Sequence, residues 1–372
     1  MKFQDRIGEP PWDYTFLYNL PESEYPKYLK KIYKYRTGKN LNLKHPKTFN
    51  EKMQWIKLYG VTSLMRDLSD KIKARDYVKE RIGEEYLKPV LQIIGTCHSE
   101  NLENQNGNLV DFQVVQNLKK ESKDEKTLKQ VQCDTTFDAL QPDLMNKNDV
   151  STYFDRINWE KLPNAFVIKC NHGCKWQFII KNKEEYLKNK YLFEITKKQM
   201  TGWLEQDYSF WGGFEMQYRT SSRLKQSLRE GGQEKGIEPK ILIEPLMRES
   251  INKEPETINI YCFNGKPKIF IKFYGENKMS IWNEKFEPIN DIFYFNEENV
   301  KIKADDYINQ TFVLSKQLSK DFNFVRIDWM IFNKRLFLEE LTFSPYSGFH
   351  FFQDKTNDLK LGRLINLERQ LK

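Results

Sequence analysis

At 372 residues, with 39% hydrophobic and 14% aromatic content, the chain can bury a sizeable core in two or three subdomains, which excludes overall disorder. Its net charge of +8 suits an anionic small molecule or an anionic membrane surface; the basic residues are dispersed, so no nucleic-acid partner is expected. The 5 cysteines form no disulfide framework, the first ten residues hold no apolar signal core, and no run reaches the ~18 apolar residues of a membrane span, so a cytoplasmic protein is expected.

Residues 20–90 read as helical. Lys27 to Lys39 is the densest basic cluster and is interleaved with tyrosines, as in an amphipathic helix. Thr48-Phe49-Asn50-Glu51 has the spacing of a capping box and opens a helix with Met53 and Ile56 on its apolar stripe. Asp67 to Ile82 reads as a second helix, closed by Gly83, and Lys88 to Ile94 as a short strand. From 99 to 151 the composition turns to Asn, Gln, Lys, Asp and Glu, which predicts a polar, partly disordered insertion.

Strands resume at Ala165–Cys170 and Trp176–Lys181, followed by a helix over Tyr186–Asp207. Ile241–Leu246, Thr257–Phe263 and Lys268–Tyr274 read as strands, the last two joined by the hairpin signal Asn264-Gly265. A helix over Tyr307–Phe322 precedes a final hairpin of Phe324–Phe332 and Leu336–Phe343. Helices first and mostly antiparallel strands later give an α+β class with a cleft between lobes.

Phe166-Val167-Ile168-Lys169 is an apolar strand that delivers one lysine into a polar loop, Cys170-Asn171-His172-Gly173-Cys174. A lysine in such a strand is costly to bury unless an anion meets it, and a small-residue turn after a strand can expose N–H groups to phosphate. Lys169 is therefore a candidate phosphate contact, and His172 a candidate phosphate donor or acid–base. Cys170, His172 and Cys174 are too tightly spaced for a typical zinc site.

On the final hairpin a three-residue loop sets Asp328 opposite Glu340, whereas a two-residue loop sets Glu339 there. Two opposed carboxylates repel unless a cation joins them, and oxygen ligands suit magnesium beside substrate phosphates. Arg326 shares the face of Asp328 and can grip a phosphate oxygen pair. A buried Arg–Asp–Glu ion network is the alternative reading. Glu244 ends a strand that can present backbone groups to an adenine edge. Gly-x-Gly-x-x-Gly and Walker A sequences are missing, as is Asp-x-Asp.

Thr48-Phe-Asn-Glu-Lys52, Asp70-Lys71 with Arg75 and Tyr77-Val78, Ile82-Gly-Glu-Glu-Tyr-Leu87, Leu162-Pro163 before Phe166–Gly173, Cys262-Phe-Asn-Gly-Lys-Pro267, Phe324-Val-Arg-Ile-Asp328 and Glu340–Pro345 with Ser347-Gly-Phe349 occur in order. Together they resemble the TupA-like ATP-grasp family, found with bacterial cell-surface polysaccharide genes and often labelled glycosyltransferases. The resemblance spans nearly the whole chain except the first forty residues and 99–151. It implies an ATP-grasp fold, two α+β lobes clamping ATP and Mg2+, behind a helical N-terminal region.

The implied organisation is 1–95 as N-terminal helical region and first subdomain, 99–151 as insertion, 152–246 as small lobe, and 247–372 as large lobe with the metal hairpin. The implied roles are Lys169, Lys71 and Arg75 as anion contacts, Glu244 beside adenine and ribose, Arg326 on phosphates, and Asp328 with Glu340 on magnesium. Three departures stand out: Cys174-Lys175-Trp176 where relatives carry Ser and Gly, Thr257-Ile258-Asn259 where they carry Asp-aromatic-Lys, and Thr342 where many ATP-grasp sites carry Asn.

The expected reaction is ATP-dependent joining of a carboxylate, such as a uronic or amino acid, to an amine of an amino sugar or amino acid, through an acyl phosphate. The alternatives are a glycosyltransferase using a sugar nucleotide and a non-catalytic binding protein that kept the fold. Residues 25–36 are also a candidate for docking at the inner membrane face, where lipid-linked glycans reside.

Overall fold

The computed structural model describes residues 14–95, 150–221, 235–248, 255–274, 278–290, 292–293, 295 and 298–368. The expected insertion over 99–151 lies outside these, apart from its last two residues.

Among the described residues the first α-helices are Tyr14–Tyr18 (α1), Tyr25–Thr37 (α2), Phe49–Tyr59 (α3), Ser63–Ser69 (α4) and Lys73–Ile82 (α5). The capping box at α3 is formed, with Thr48 accepting from the Glu51 N–H while Glu51 accepts from the Thr48 N–H. The single helix expected over Asp67–Ile82 is instead α4 and α5. The chain breaks between them because the Asp70 carboxylate accepts from the Ile72 N–H and from Asn171 Nδ2, each at 2.9 Å, and so leaves the helical ladder.

Gln92–Ile94 (β1), Phe166–Cys170 (β2) and Gln177–Ile180 (β3) follow, then Lys183–Lys188 (α6) and Lys190–Glu205 (α7). The one helix expected over Tyr186–Asp207 is split at Asn189, whose side chain caps α7 by accepting from the Leu192 N–H. Ile241–Pro245 (β4) completes a four-stranded antiparallel sheet in the order β1-β4-β2-β3. Its core joins Ile168, Phe166 and Ile243 to Met200 and Trp203 of α7.

Glu256–Phe263 (β5), Lys266–Phe273 (β6), Lys278–Asn283 (β7) and Glu298–Asn299 (β8) precede Asp306–Leu318 (α8). Phe324–Phe332 (β9), Arg335–Thr342 (β10) and Thr356–Arg363 (α9) follow. The second sheet is six-stranded, in the order β10-β9-β5-β6-β7-β8. Both of its tight hairpins use two left-handed residues: Asn264 (φ 49°) with Gly265 (φ 76°), and Asn333 (φ 49°) with Lys334 (φ 58°). That is the type I′ geometry whose twist matches the strands.

The six-stranded sheet buries Ile260, Ile271 and Ile327 against Phe49 and Met53 of α3, Val78 of α5, and Leu314 and Leu318 of α8. The helices of 49–82 therefore belong to the layer on the large sheet, whereas β1 belongs to the small sheet. A third cluster packs Leu29, Ile32 and Tyr33 of α2 on Phe210, Phe214 and Phe349. The start of α3 is clasped from far along the chain. Its Asn50 N–H donates to Asp358 of α9 at 2.9 Å, Asn50 exchanges two side-chain bonds with the His350 backbone, and Lys52 donates to the Ile365 carbonyl at 2.7 Å. Gly362 makes this approach possible, since a Cβ there would lie 2.2 Å from the Lys47 carbonyl oxygen. No helix among the described residues is long and apolar enough to cross a membrane.

Candidate active site

A pocket with about 490 Å³ of space open to solvent lies where the two sheets meet α4 and α5. Lys169 of β2 and Glu244 of β4 line it from the small sheet, and Glu339 and Glu340 of β10 from the large one. Lys71 and Arg75 come from the α4–α5 break and the first turn of α5, and Lys88 from the segment leading to β1.

The small-sheet side follows from pairing. Val167 stands opposite Glu244, so Lys169 and Glu244 lie diagonally on one face, and their charged ends meet at 2.6 Å. Lys88 adds a second cation, 3.3 Å from the Glu244 carboxylate and 2.8 Å from that of Glu339. Lys88 thus ties the small sheet to the large one. Burial alone would raise the Glu244 carboxyl, but Lys169, Lys88 and Arg75 hold it at about 2. Burial lowers the Lys169 ammonium, with Glu244 opposing. Burial also acts against the Lys88 charge, but the two glutamates outweigh it and raise its pKa. Arg75 is lowered chiefly by burial and donates to the Lys88 carbonyl at 2.8 Å.

The large-sheet side depends on a bulge. The β9–β10 loop has two residues, with Phe332 opposite Arg335, so a regular ladder would set Glu339 against Asp328. Instead the register shifts between Leu338 and Glu340, Glu339 is left without a partner in the ladder, and Glu340 stands opposite Asp328. Of the two loop lengths the sequence left open, the two-residue one forms, yet the pair is 328–340 and arises by the bulge. Arg326 grips Asp328 with two bonds, 2.7 and 2.6 Å, and Tyr218 reaches Glu340 at 3.4 Å. Burial pushes the Asp328 carboxyl up; Arg326 opposes it, and Glu340 adds to the upward push.

These two carboxylates fit magnesium by chemistry. They are hard oxygen donors on facing positions, each retains lone pairs, and a cation would relieve the repulsion that Glu340 exerts on Asp328. Among the described residues no group of three or more His, Cys, Asp or Glu is placed to hold a metal. Were magnesium bound, Asp328 and Glu340 would be its protein ligands, and phosphate and water would complete its shell.

Lys71, Arg75, Lys169, Glu244 and Glu340 all line the pocket, and Arg326 and Asp328 adjoin it through Glu340. His172 does not belong with them, and its candidacy as an acid–base is corrected here. Its ring is fully buried, with Nδ1 3.3 Å from Asn171 Oδ1, Nε2 3.2 Å from the Gln206 carbonyl and the ring edge on Trp176. Burial holds its pKa at about 4, so near neutral pH it is an uncharged ring pinned in the loop. The loop itself is built for close packing. Gly173 is left-handed, and a Cβ there would meet Tyr208 at 2.7 Å. Its carbonyl accepts from the Lys71 ammonium, which ties the loop to the α4–α5 break.

Sequence reasoning missed Lys88, weighed Glu339 only as the alternative partner of Asp328 and not as the partner of Lys88, and also missed a buried cluster beside the site. Glu215 accepts from the hydroxyls of Ser344 and Ser347, the latter at 3.1 Å. Lys57 of α3 donates to Gln54 Oε1, the Gly212 carbonyl and the Ser347 carbonyl. This cluster fixes the segment after β10, where Tyr346 and Ser347 are consecutive left-handed residues, both at φ 53°. The Tyr346 ring lies 5.8 Å from the Arg326 guanidinium. The available signal was Lys57 itself, four residues after Met53 and so on the buried face of α3.

Among solved structures, the chain is similar to the D-alanine–D-alanine ligase of Helicobacter pylori at 14% identity and TM-score 0.28, covering 58% of this chain and 53% of that one. It is similar to the Bacillus anthracis ligase complexed with ATP at 12% and 0.28, covering 61% and 57%. Against D-alanyl-alanine synthetase A of Vibrio cholerae the figures are 10% and 0.34, over 87% and 70%. The chain thus spans little more than half the length of the first two. No functionally curated protein matches significantly. The family model for TupA-like ATPgrasp matches residues 113–366, more than half of the chain and both sheets apart from β1, and on that match the protein belongs to the TupA-like ATP-grasp family.

Proposed function

We propose that the protein is an ATP- and magnesium-dependent ligase that joins a carboxylate to an amine through an acyl phosphate, in bacterial surface-polysaccharide assembly. The observation that carries this reading is the meeting of Lys169 and Glu244 from one sheet with Glu340, Asp328 and Arg326 from the other, around one pocket. The family membership supports ATP as the nucleotide. The surface-polysaccharide setting rests on the resemblance to the TupA-like family.

In this reading Lys169, Lys71 and Arg75 bind the phosphates, and Glu244 sits beside adenine and ribose. Asp328 and Glu340 hold magnesium, which when bound neutralises phosphate charge. Glu244 and Glu339 already engage Lys169 and Lys88. The triphosphate therefore has to compete with those carboxylates for cations that burial has made strong partners. Arg326 faces the transferred phosphoryl group and stabilises the charge it carries. The acceptor carboxylate forms an O–P bond to the γ-phosphorus as the bond to the bridging oxygen breaks and ADP leaves. The amine nitrogen then bonds the acyl carbon, phosphate departs with the C–O electron pair, and the amine releases one proton.

Calorimetric titration of ATP with magnesium into wild type and Asp328→Asn/Glu340→Gln protein is the first test. Magnesium-dependent binding by wild type and its loss in the folded double variant are expected. A hydroxamate should form when hydroxylamine is added with the substrate carboxylate and ATP. Release of a nucleoside diphosphate from a sugar nucleotide without ATP would replace the ligase reading with glycosyl transfer.

A further inference from the structure

α2 carries two different faces. Tyr25, Leu29, Ile32 and Tyr33 are buried in the protein. At about 100° per residue, Lys30, Lys34, Lys27, Lys31, Tyr35 and Tyr28 sweep the rest of the helix in one continuous arc of roughly 160°. Lysines occupy the centre and one flank; the tyrosines occupy the other flank. Phe16 of α1 extends that aromatic flank, packing on Tyr28 at 5.0 Å and remaining 42% exposed, while Tyr35 is 47% exposed. Lys27 pairs with Glu24, but among the described residues no carboxylate pairs with Lys30, Lys31 or Lys34. The Lys31 ammonium lies 4.5 Å from the centre of the Tyr28 ring.

We propose that this outward face of α2 docks the protein on an anionic lipid bilayer. The arrangement fits that partner for three reasons. The apolar face of α2 is used up in the protein core, so the helix can adsorb but has nothing to insert deeply. The lysines lie on one side of a convex helix, which suits a flat charged surface and the negative potential of anionic headgroups. Tyrosine and phenylalanine flanking the lysines are the residue types that settle at headgroup depth, whereas a soluble polyanion would use the lysines alone.

Docking would also orient the candidate site. The buried side of α2 packs on Phe349, with the Tyr33 ring at 6.1 Å and the Arg36 guanidinium at 4.6 Å. Phe349 lies in the segment that follows Glu340 and Thr342 on β10. That segment is thus held one helix thickness, about 10 Å, from the membrane-facing lysines. This surface does not depend on the proposed reaction, and its test needs no substrate.

Vesicles of phosphatidylglycerol mixed with phosphatidylcholine, and vesicles of phosphatidylcholine alone, would be floated with the full-length protein. Binding to the first and not the second is expected, weakening as salt is raised. The variant Lys30→Gln/Lys31→Gln/Lys34→Gln should lose roughly a hundredfold in partitioning, at about fivefold per lysine. Tyr35→Ser should weaken binding at high salt, where the lysines are screened. A control, Lys188→Gln/Lys190→Gln/Lys198→Gln, removes the same charge from exposed positions near α6 and α7 and should bind like wild type. Equal loss in the control would reduce the effect to net charge and overturn the proposal. No flotation by wild type, or binding to soluble polyphosphate that displaces the protein from vesicles with Tyr35→Ser unaffected, would also overturn it.

Discussion

Asp328 and Glu340 stand opposite each other because Glu339 is displaced from the ladder between them and their hairpin turn. The displaced residue does not point into an empty space: its carboxylate meets Lys88 at 2.8 Å. One irregularity therefore sets the carboxylate pair on one strand position and the tie between the sheets on the next.

Arg326 and Asp328 form a bidentate pair with each side chain only 13% exposed, so the effects of removing them should be coupled rather than additive. Asp328→Ala is expected to lose about 2–4 kcal/mol of stability in urea titrations, because it strands a largely buried guanidinium. Arg326→Met/Asp328→Met should lose clearly less than the sum of the single changes. Strict additivity would mean that the pair is not coupled in solution.

The charge cluster around Glu244 predicts an acid limb. Burial acts to raise this carboxyl, but Lys169 and Lys88 depress its folded pKa to about 2, below the ordinary value of 4.5. Its contribution is thus full above about pH 4.5 and is lost as pH falls toward 2, a swing of roughly 2–3 kcal/mol. Urea melts across this window should show the loss, and Glu244→Gln should be less stable at pH 7 with a flatter limb. A variant whose profile parallels wild type would remove the electrostatic account.

For His172 the sign is the same, although here it is the neutral form that folding favours. Its folded pKa of about 4 lies below the ordinary 6.5, chiefly through burial, so the unfolded chain binds the proton first. Stability should fall as pH drops from about 6.5 to about 4. In NMR spectra the His172 ring protons should stay at neutral positions from pH 8 to pH 5. A midpoint near 6.5 would return His172 to the list of acid–base candidates.

Glu215 holds the left-handed Tyr346–Ser347 pair through two serine hydroxyls, and Lys57 supports the same turn from α3. Glu215→Ala should cost about 1–3 kcal/mol per unsatisfied buried partner. Amide exchange over 344–349 should quicken by at least tenfold, while β9 keeps its protection. Unchanged exchange there would mean that the turn is maintained by its own packing.

Local chemistry was legible in the sequence wherever neighbouring residues decide the structure. The Thr48–Glu51 box, the Asn264-Gly265 turn and the bounds of Phe324–Phe332 all follow from residues within one turn or one strand. The rest depends on partners distant in the chain. Asp70 ends α4 partly by taking Asn171, which lies a hundred residues downstream. The bulge at Glu339 is accompanied by Lys88, and no hairpin rule contains that residue. Lys88 itself gave the same signal as Lys169, a lysine embedded among apolar neighbours. His172 misled because a polar loop after a strand does not reveal which of its side chains turn inward.

The clasp between α3 and the chain beyond residue 350 carries a consequence for biosynthesis. Asn50 and Lys52 wait for His350, Asp358 and Ile365, which a ribosome reaches some three hundred codons later. At about 5–20 residues per second, the start of α3 stays unclasped for at least about fifteen seconds after it emerges. Ribosome-stalled chains ending before residue 350 are expected to be cut by protease between 48 and 59, whereas full-length chains resist. The large layer therefore closes only once the chain through Ile365 has emerged, and Phe49 and Met53 stay without the α9 side of their packing until then.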